Sequence, residues 1–121
     1  HLIVTAGWKQ FLPNVFSDDL SVESSLLKAW KSAEDQSLYE YDDPTCDSRC
    51  KIIEFFYLST AAYLGSLVDV AQDELRVKTQ PNLRKLLPEV VTIMESSAYA
   101  YPKNMWPDGN YRDFANIIFT N

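Results

Sequence analysis

The sequence predicts one all-α domain over residues 1–121, with about four helices packed around a long central helix at 44–75. Three observations carry that expectation. From Cys46 onward, Cys46, Cys50, Ile53, Tyr57, Thr60, Leu64, Leu67 and Ala71 recur at alternating steps of four and three, the period of a continuous helix face. Among 121 residues, 46% are apolar and 23% charged, the balance of a folded rather than a disordered chain, and the length suits one core. Only 3 Gly and 6 Pro leave too few turn residues for a many-stranded β fold.

Taken in order, Ser17-Asp18-Asp19 has the chemistry of a helix start, a hydroxyl to cap free N–H groups and acids at the positive dipole end. Leu20, Leu27 and Trp30 follow at helical spacing, so a first helix is expected over 19–34, and polar, acidic 35–43 reads as a loop. Asp43-Pro44 marks the next start, with Asp as N-cap and Pro in the first helical position. Ile52, Phe55, Phe56, Leu58 and Tyr63 make the helix that follows apolar on several sides. Gly65 falls inside it at a cost of about 1 kcal/mol relative to Ala, and either marks a close crossing or is tolerated. Gln80-Pro81-Asn82 opens a third segment carrying Leu83, Leu86, Leu87, Val90, Val91 and Met94. Pro88 inside it removes a hydrogen bond, so a kink or restart is expected at 86–88. A last short helix is expected at 110–119. The rival assignment pairs Leu2-Ile3-Val4-Thr5 with Ile117-Ile118-Phe119-Thr120 as a short terminal strand pair, because both are β-branched or aromatic.

The net charge of −6 is unevenly placed. Glu34, Asp35, Glu40, Asp42, Asp43 and Asp47 lie between Lys31 and Arg49 with no base among them, and without these six the acids and bases balance at 11 each. Arg76, Lys78, Arg84 and Lys85 form the opposite cluster, and the two clusters would flank the ends of a 44–75 helix in the sense its dipole favours. An acidic chain lacks the basic footprint that nucleic acid requires. It leaves open a basic protein partner. The longest uncharged run, 55–68, is too short for a membrane span.

Cys46 and Cys50 can close a small disulfide in an oxidising compartment, or remain two thiols in the cytosol. Regular helix geometry holds positions four apart at about 5–6 Å between Cβ atoms, wider than a disulfide accepts. A bridge therefore requires a distorted turn or a helix that begins between them. With a start at His1 rather than Met, the pair favours a secreted or periplasmic protein whose signal peptide has been removed; a cytoplasmic protein is the alternative.

Catalytic constellations are scarce. A single His, at position 1, leaves nothing to sit between a nucleophile and an orienting acid. It leaves too few good ligands for a tetrahedral zinc site with Cys46 and Cys50. No glycine-rich phosphate loop and no EF-hand spacing occurs. The sequence implies no metal and no cofactor. Asp42, Asp43 and Asp47 remain as acids around which a carboxylate-based enzyme could be imagined, and Asp69 and Asp73 would share one helix face. Caps and solvated acids explain them more simply.

Binding surfaces are better represented. The segment 99–112 gathers Tyr99, Tyr101, Met105, Trp106, Tyr111 and Arg112, residue types enriched where proteins meet. The competing expectation is that Tyr99, Met105 and Trp106 fold inward and plug the end of the bundle. Tyr39, Glu40, Tyr41, Asp42 and Asp43 form a second candidate patch, suited to a basic partner. The functional expectation is a non-catalytic protein-binding module, secreted and effector-like or of the inhibitor or immunity type, acting through the aromatic loop. The alternatives are a helical carrier enclosing a small apolar ligand among Trp30, Phe55, Phe56 and Tyr57, and the carboxylate enzyme.

Overall fold

The computed structural model describes residues 1–103. A π-helical segment, Ile3–Trp8, runs directly into α1 (Lys9–Phe11), followed by α2 (Pro13–Phe16), α3 (Ser25–Asp35), α4 (Ser48–Leu64), α5 (Gln80–Leu86) and α6 (Pro88–Met94). Among the described residues no strand forms, and extended pairing is limited to an isolated antiparallel bridge between Tyr39 and Leu75. The fold is mainly helical, as the apolar period requires.

The helix expected at 44–75 is shorter at both ends. Asp47, not Asp43, is its N-cap, its carboxylate accepting from the Cys50 N–H at 2.9 Å. Asp43 is occupied elsewhere, accepting from the Thr45 N–H and hydroxyl at 2.8 and 2.7 Å. At the other end Gly65 takes the left-handed conformation, φ +80. The Ser66 N–H then reaches the Ala61 carbonyl at 2.9 Å and the Gly65 N–H the Ala62 carbonyl at 3.3 Å, the paired bonds of a glycine-terminated helix. α4 thus has 17 residues and a length of about 26 Å. Beyond it the continued four-three spacing is accidental: Leu67 is 68% and its neighbour Val68 87% exposed.

α4 buries Ile52, Phe55, Phe56, Ala62 and Tyr63 among others and packs against α3, α5 and α6. α3 starts later than the expected 19. Ser24 caps it, accepting from the Leu27 N–H at 3.0 Å while donating to the Ser17 carbonyl at 2.7 Å. Asp18 and Asp19 are drawn away, Asp18 into contact with Lys9 (2.6 Å) and Arg49 (3.2 Å), Asp19 into a turn with Ser21. Leu20 is left 51% exposed. The break at Pro88 is a restart. Leu87 leaves the helical region (φ −132, ψ 59), and Pro88 opens α6.

Leu2, Val4 and Thr5 lie in helical backbone, so the N-terminal half of the strand pair does not form; tight local bonds such as Thr5 N–H to His1 carbonyl at 2.9 Å outcompete an extended partner. Residues 117–120 and the helix expected at 110–119 lie outside the described residues. The basic cluster does not sit at the end of α4: Arg76 and Lys78 bond to loops, while Arg84 and Lys85 lie in the last turn of α5. Arg76 pairs with Glu40, Lys78 donates to the Val70 and Gln72 carbonyls, and Arg84 pairs with Glu95. Among the described residues no helix is long and apolar enough to cross a membrane.

Candidate functional site

The Tyr39–Leu75 bridge builds the most distinctive surface. The Glu40 N–H donates to the Glu74 carbonyl and the Arg76 N–H to the Leu38 carbonyl, both at 2.8 Å. These bonds lay the loop after Tyr39 beside the segment 73–76. Tyr39 anchors the pair from below. It is 3% exposed, packs on Phe55 at 5.4 Å between ring centroids, and donates its hydroxyl to the Lys51 carbonyl at 2.8 Å. Burial raises its phenol well above the ordinary value. Tyr41 stacks on Tyr39, with centroids 6.5 Å apart and planes 20° from parallel.

Between the two segments lies an open groove of about 570 Å³. Glu40, Asp42, Asp43, Asp73 and Glu74 line it with Tyr41 and Pro44, and Arg76 is the one cation of the lining. Arg76 is committed, 3.3 Å from Glu40 and donating to the Ser37 carbonyl. The hydrogen bonds from Thr45 hold the Asp43 carboxyl below its ordinary pKa. Negative charge pushes the Tyr41 phenol up, Glu54 most, helped by burial and by Asp43 and Glu74. A second open hollow, reaching Glu34 and Lys51, shares Glu40, Tyr41 and Asp42 as a wall. Tyr41 and its acids therefore stand on a ridge between two depressions.

The end of this loop is tied down by a disulfide. Cys46 and Cys50 are bonded, with Cα atoms 5.2 Å apart. α4 begins between them, which frees the pair from regular i, i+4 helix geometry. Cys46 is buried and Cys50 exposed.

The described part of the aromatic segment points into the molecule. Tyr99 packs on Trp8 and Phe16, each at 5.4 Å, and donates its hydroxyl to the Ile93 carbonyl at 2.6 Å. Tyr101 packs on Trp8 at 5.3 Å and Phe56 at 5.6 Å, its hydroxyl bonded to that of Thr60. Met105, Trp106, Tyr111 and Arg112 lie outside the described residues. The structure thus joins Glu40, Tyr41, Asp42 and Asp43 in one surface, buries Tyr39 beneath it rather than presenting it as expected, and sets Tyr99 and Tyr101 apart, on the Trp8 side of the core.

Beside Tyr101 runs an apolar cleft of about 240 Å³, walled by Trp8, Ile53, Phe56, Tyr57 and Thr60. Phe56 and Tyr57 were expected around an apolar ligand; Phe55 and Trp30 are buried but do not line this cleft. Among the described residues, no group of three or more His, Cys, Asp or Glu is placed to hold a metal ion. Asp69 and Asp73 do not share a helix face, because α4 has already ended. Asp69 accepts from the hydroxyls of Tyr57 (2.6 Å) and Ser66, while Asp73 belongs to the groove.

Sequence reasoning missed Asp73, Glu74 and Arg76 as partners of the acidic loop. The one local signal was Leu75-Arg76-Val77, whose buried, exposed, buried alternation belongs to extended backbone rather than helix. Compared with family models, with curated proteins and with solved structures, the chain matches none.

Proposed function

We propose that this protein is a non-catalytic binding module, secreted and effector-like or inhibitor-like, that engages a basic segment of another protein through the groove around Tyr41. The observation that supports this reading most is the charge of the groove: five carboxylates line it, and its single guanidinium is already paired. Such a field speeds encounter with a cationic partner and selects against acidic ones. Tyr41 adds a ring for the apolar stem or guanidinium of a bound Lys or Arg. The cysteine bridge is the basis for placing the protein in an oxidising, extracellular setting.

The experiment is a titration with a fluorescently labelled nona-arginine peptide. The expected result is binding that weakens steeply with salt and falls about tenfold or more in Asp42→Lys/Asp73→Lys. A control, Glu23→Lys/Glu89→Lys, changes exposed acids outside the groove by the same net charge and should keep its affinity. Equal losses in both variants would reduce the effect to overall charge and end the proposal.

A second reading, a carrier of a small apolar ligand, draws on the cleft beside Trp8 and Tyr101. Its size suits a single-ring compound, since engineered cavities of about 150 Å³ take up benzene. A carrier would bind such a ring without the salt dependence that marks the groove.

A further inference from the structure

The loop between Tyr39 and α4 carries three of the groove's five carboxylates, Glu40, Asp42 and Asp43. It is fastened at two points. At its start the Tyr39–Leu75 bridge holds the backbone. At its end the fastening is covalent, Cys46 bonded to Cys50 in the first turn of α4. Between these points the described hydrogen bonds of residues 41–46 stay within the loop, from Thr45 and from the Cys46 N–H to Asp43. Cys46 is buried but is not among the side chains of the contiguous hydrophobic core. Without the bridge, residues 41–46 keep their local hydrogen bonds, the packing of Tyr41 against the core where it stacks on Tyr39, and the burial of the Cys46 side chain. No hydrogen bond is described from them to the rest of the molecule, whereas α4 keeps its Asp47 cap and its apolar contacts.

We propose that the Cys46–Cys50 disulfide is a redox latch on the acidic groove: bridged, it presents the loop to a basic partner, and reduced, it lets the loop move and weakens binding. This rests on the groove being the binding surface. The physical basis is preorganisation, because a loop already held in its bound geometry loses less freedom when the partner docks. The chemistry is thiol–disulfide exchange with a dithiol reductant. One thiolate of the dithiol attacks Sγ of the exposed Cys50, and the Cys46 sulfur leaves as thiolate and takes up a proton. The second thiol of the reductant then displaces Cys50. The reductant ends as a disulfide and the protein as two thiols, two electrons having passed to the protein.

The test measures affinity for the nona-arginine probe in three forms: the bridged protein, the protein reduced with dithiothreitol, and the bridge-free Cys46→Ser/Cys50→Ser variant. Far-UV circular dichroism accompanies each. The bridged form should bind, and the two unbridged forms should bind about tenfold more weakly with unchanged helix content. Reoxidation of the reduced protein should restore affinity. Equal affinity in all three overturns the latch and leaves the groove reading standing. Absence of binding by the bridged form overturns the groove reading and the latch with it. Loss of helix on reduction also overturns the latch, since the bond would then be holding the fold rather than the loop.

Discussion

Ser59 is fully buried in α4, and its hydroxyl has no hydrogen-bond partner among the described residues. A buried hydroxyl left unpaired costs about 1–3 kcal/mol, so Ser59→Ala should raise the unfolding free energy by about 1 kcal/mol in urea titration. A loss of stability would show that the hydroxyl is bonded after all. Asp18 is the opposite case, a buried carboxylate whose Oδ1 faces both Lys9 and Arg49. Burial alone would raise its pKa, but the hydrogen bonds and charges of Lys9 and Arg49 outweigh that and hold it below the ordinary carboxylate range. The residue type was visible in the sequence at both positions. What distinguishes them, a partner in one and none in the other, arises from chain segments brought together only by folding.

At the scale of elements, the two ends of α4 show what periodicity can and cannot say. The four-three spacing identified the helix but not its most buried face: Cys50 is exposed and Tyr57 is 41% exposed, whereas Ile52, Phe55, Ser59 and Ala62 are fully buried. A spacing pattern also continues through any residue that happens to fit it. Gly65 ends the helix because it reaches positive φ without a Cβ clash, and the two terminal bonds from Gly65 and Ser66 reward it for doing so. The space around it is open, so Gly65→Ala should cost only the conformational strain, about 1 kcal/mol, read from a thermal melt with unchanged circular dichroism. A neutral substitution would mean that the cap contributes nothing. The Pro88 break was legible because a missing N–H and a fixed φ act locally, whatever surrounds them. Ser17-Asp18-Asp19 misled because its acids had better partners elsewhere than the N–H groups of a helix.

For the whole molecule, acid should act through carboxylates whose folded pKa is depressed. Hydrogen bonds from Arg84 and Tyr63, opposed by burial and led by Arg84, bring Glu95 down to about 2 from an ordinary value of 4.5. A group depressed on folding stabilises above its unfolded pKa, and that contribution is lost as pH falls through the folded one. The melting temperature should therefore fall between pH 4.5 and about 2, and Glu95→Gln should flatten part of that slope. Glu34 and Glu54, raised chiefly by burial, act in the opposite sense, destabilising once ionised. A profile that Glu95→Gln leaves unaltered across that window would refute the assignment.

The sequence alone determined the helical class, a break near Pro88 that could be a kink or a restart, the uneven charge and half of the acidic groove. Each of these is written in neighbouring residues, where apolar period, proline chemistry and runs of like charge act over a few positions. Tertiary structure decided where α4 stops, that Tyr99 and Tyr101 turn toward Trp8, and that Asp73 and Glu74 join Glu40 and Asp42 across the Tyr39–Leu75 bridge. Those outcomes depend on which of several available partners each group meets once distant segments are packed, and spacing along a chain does not encode that competition.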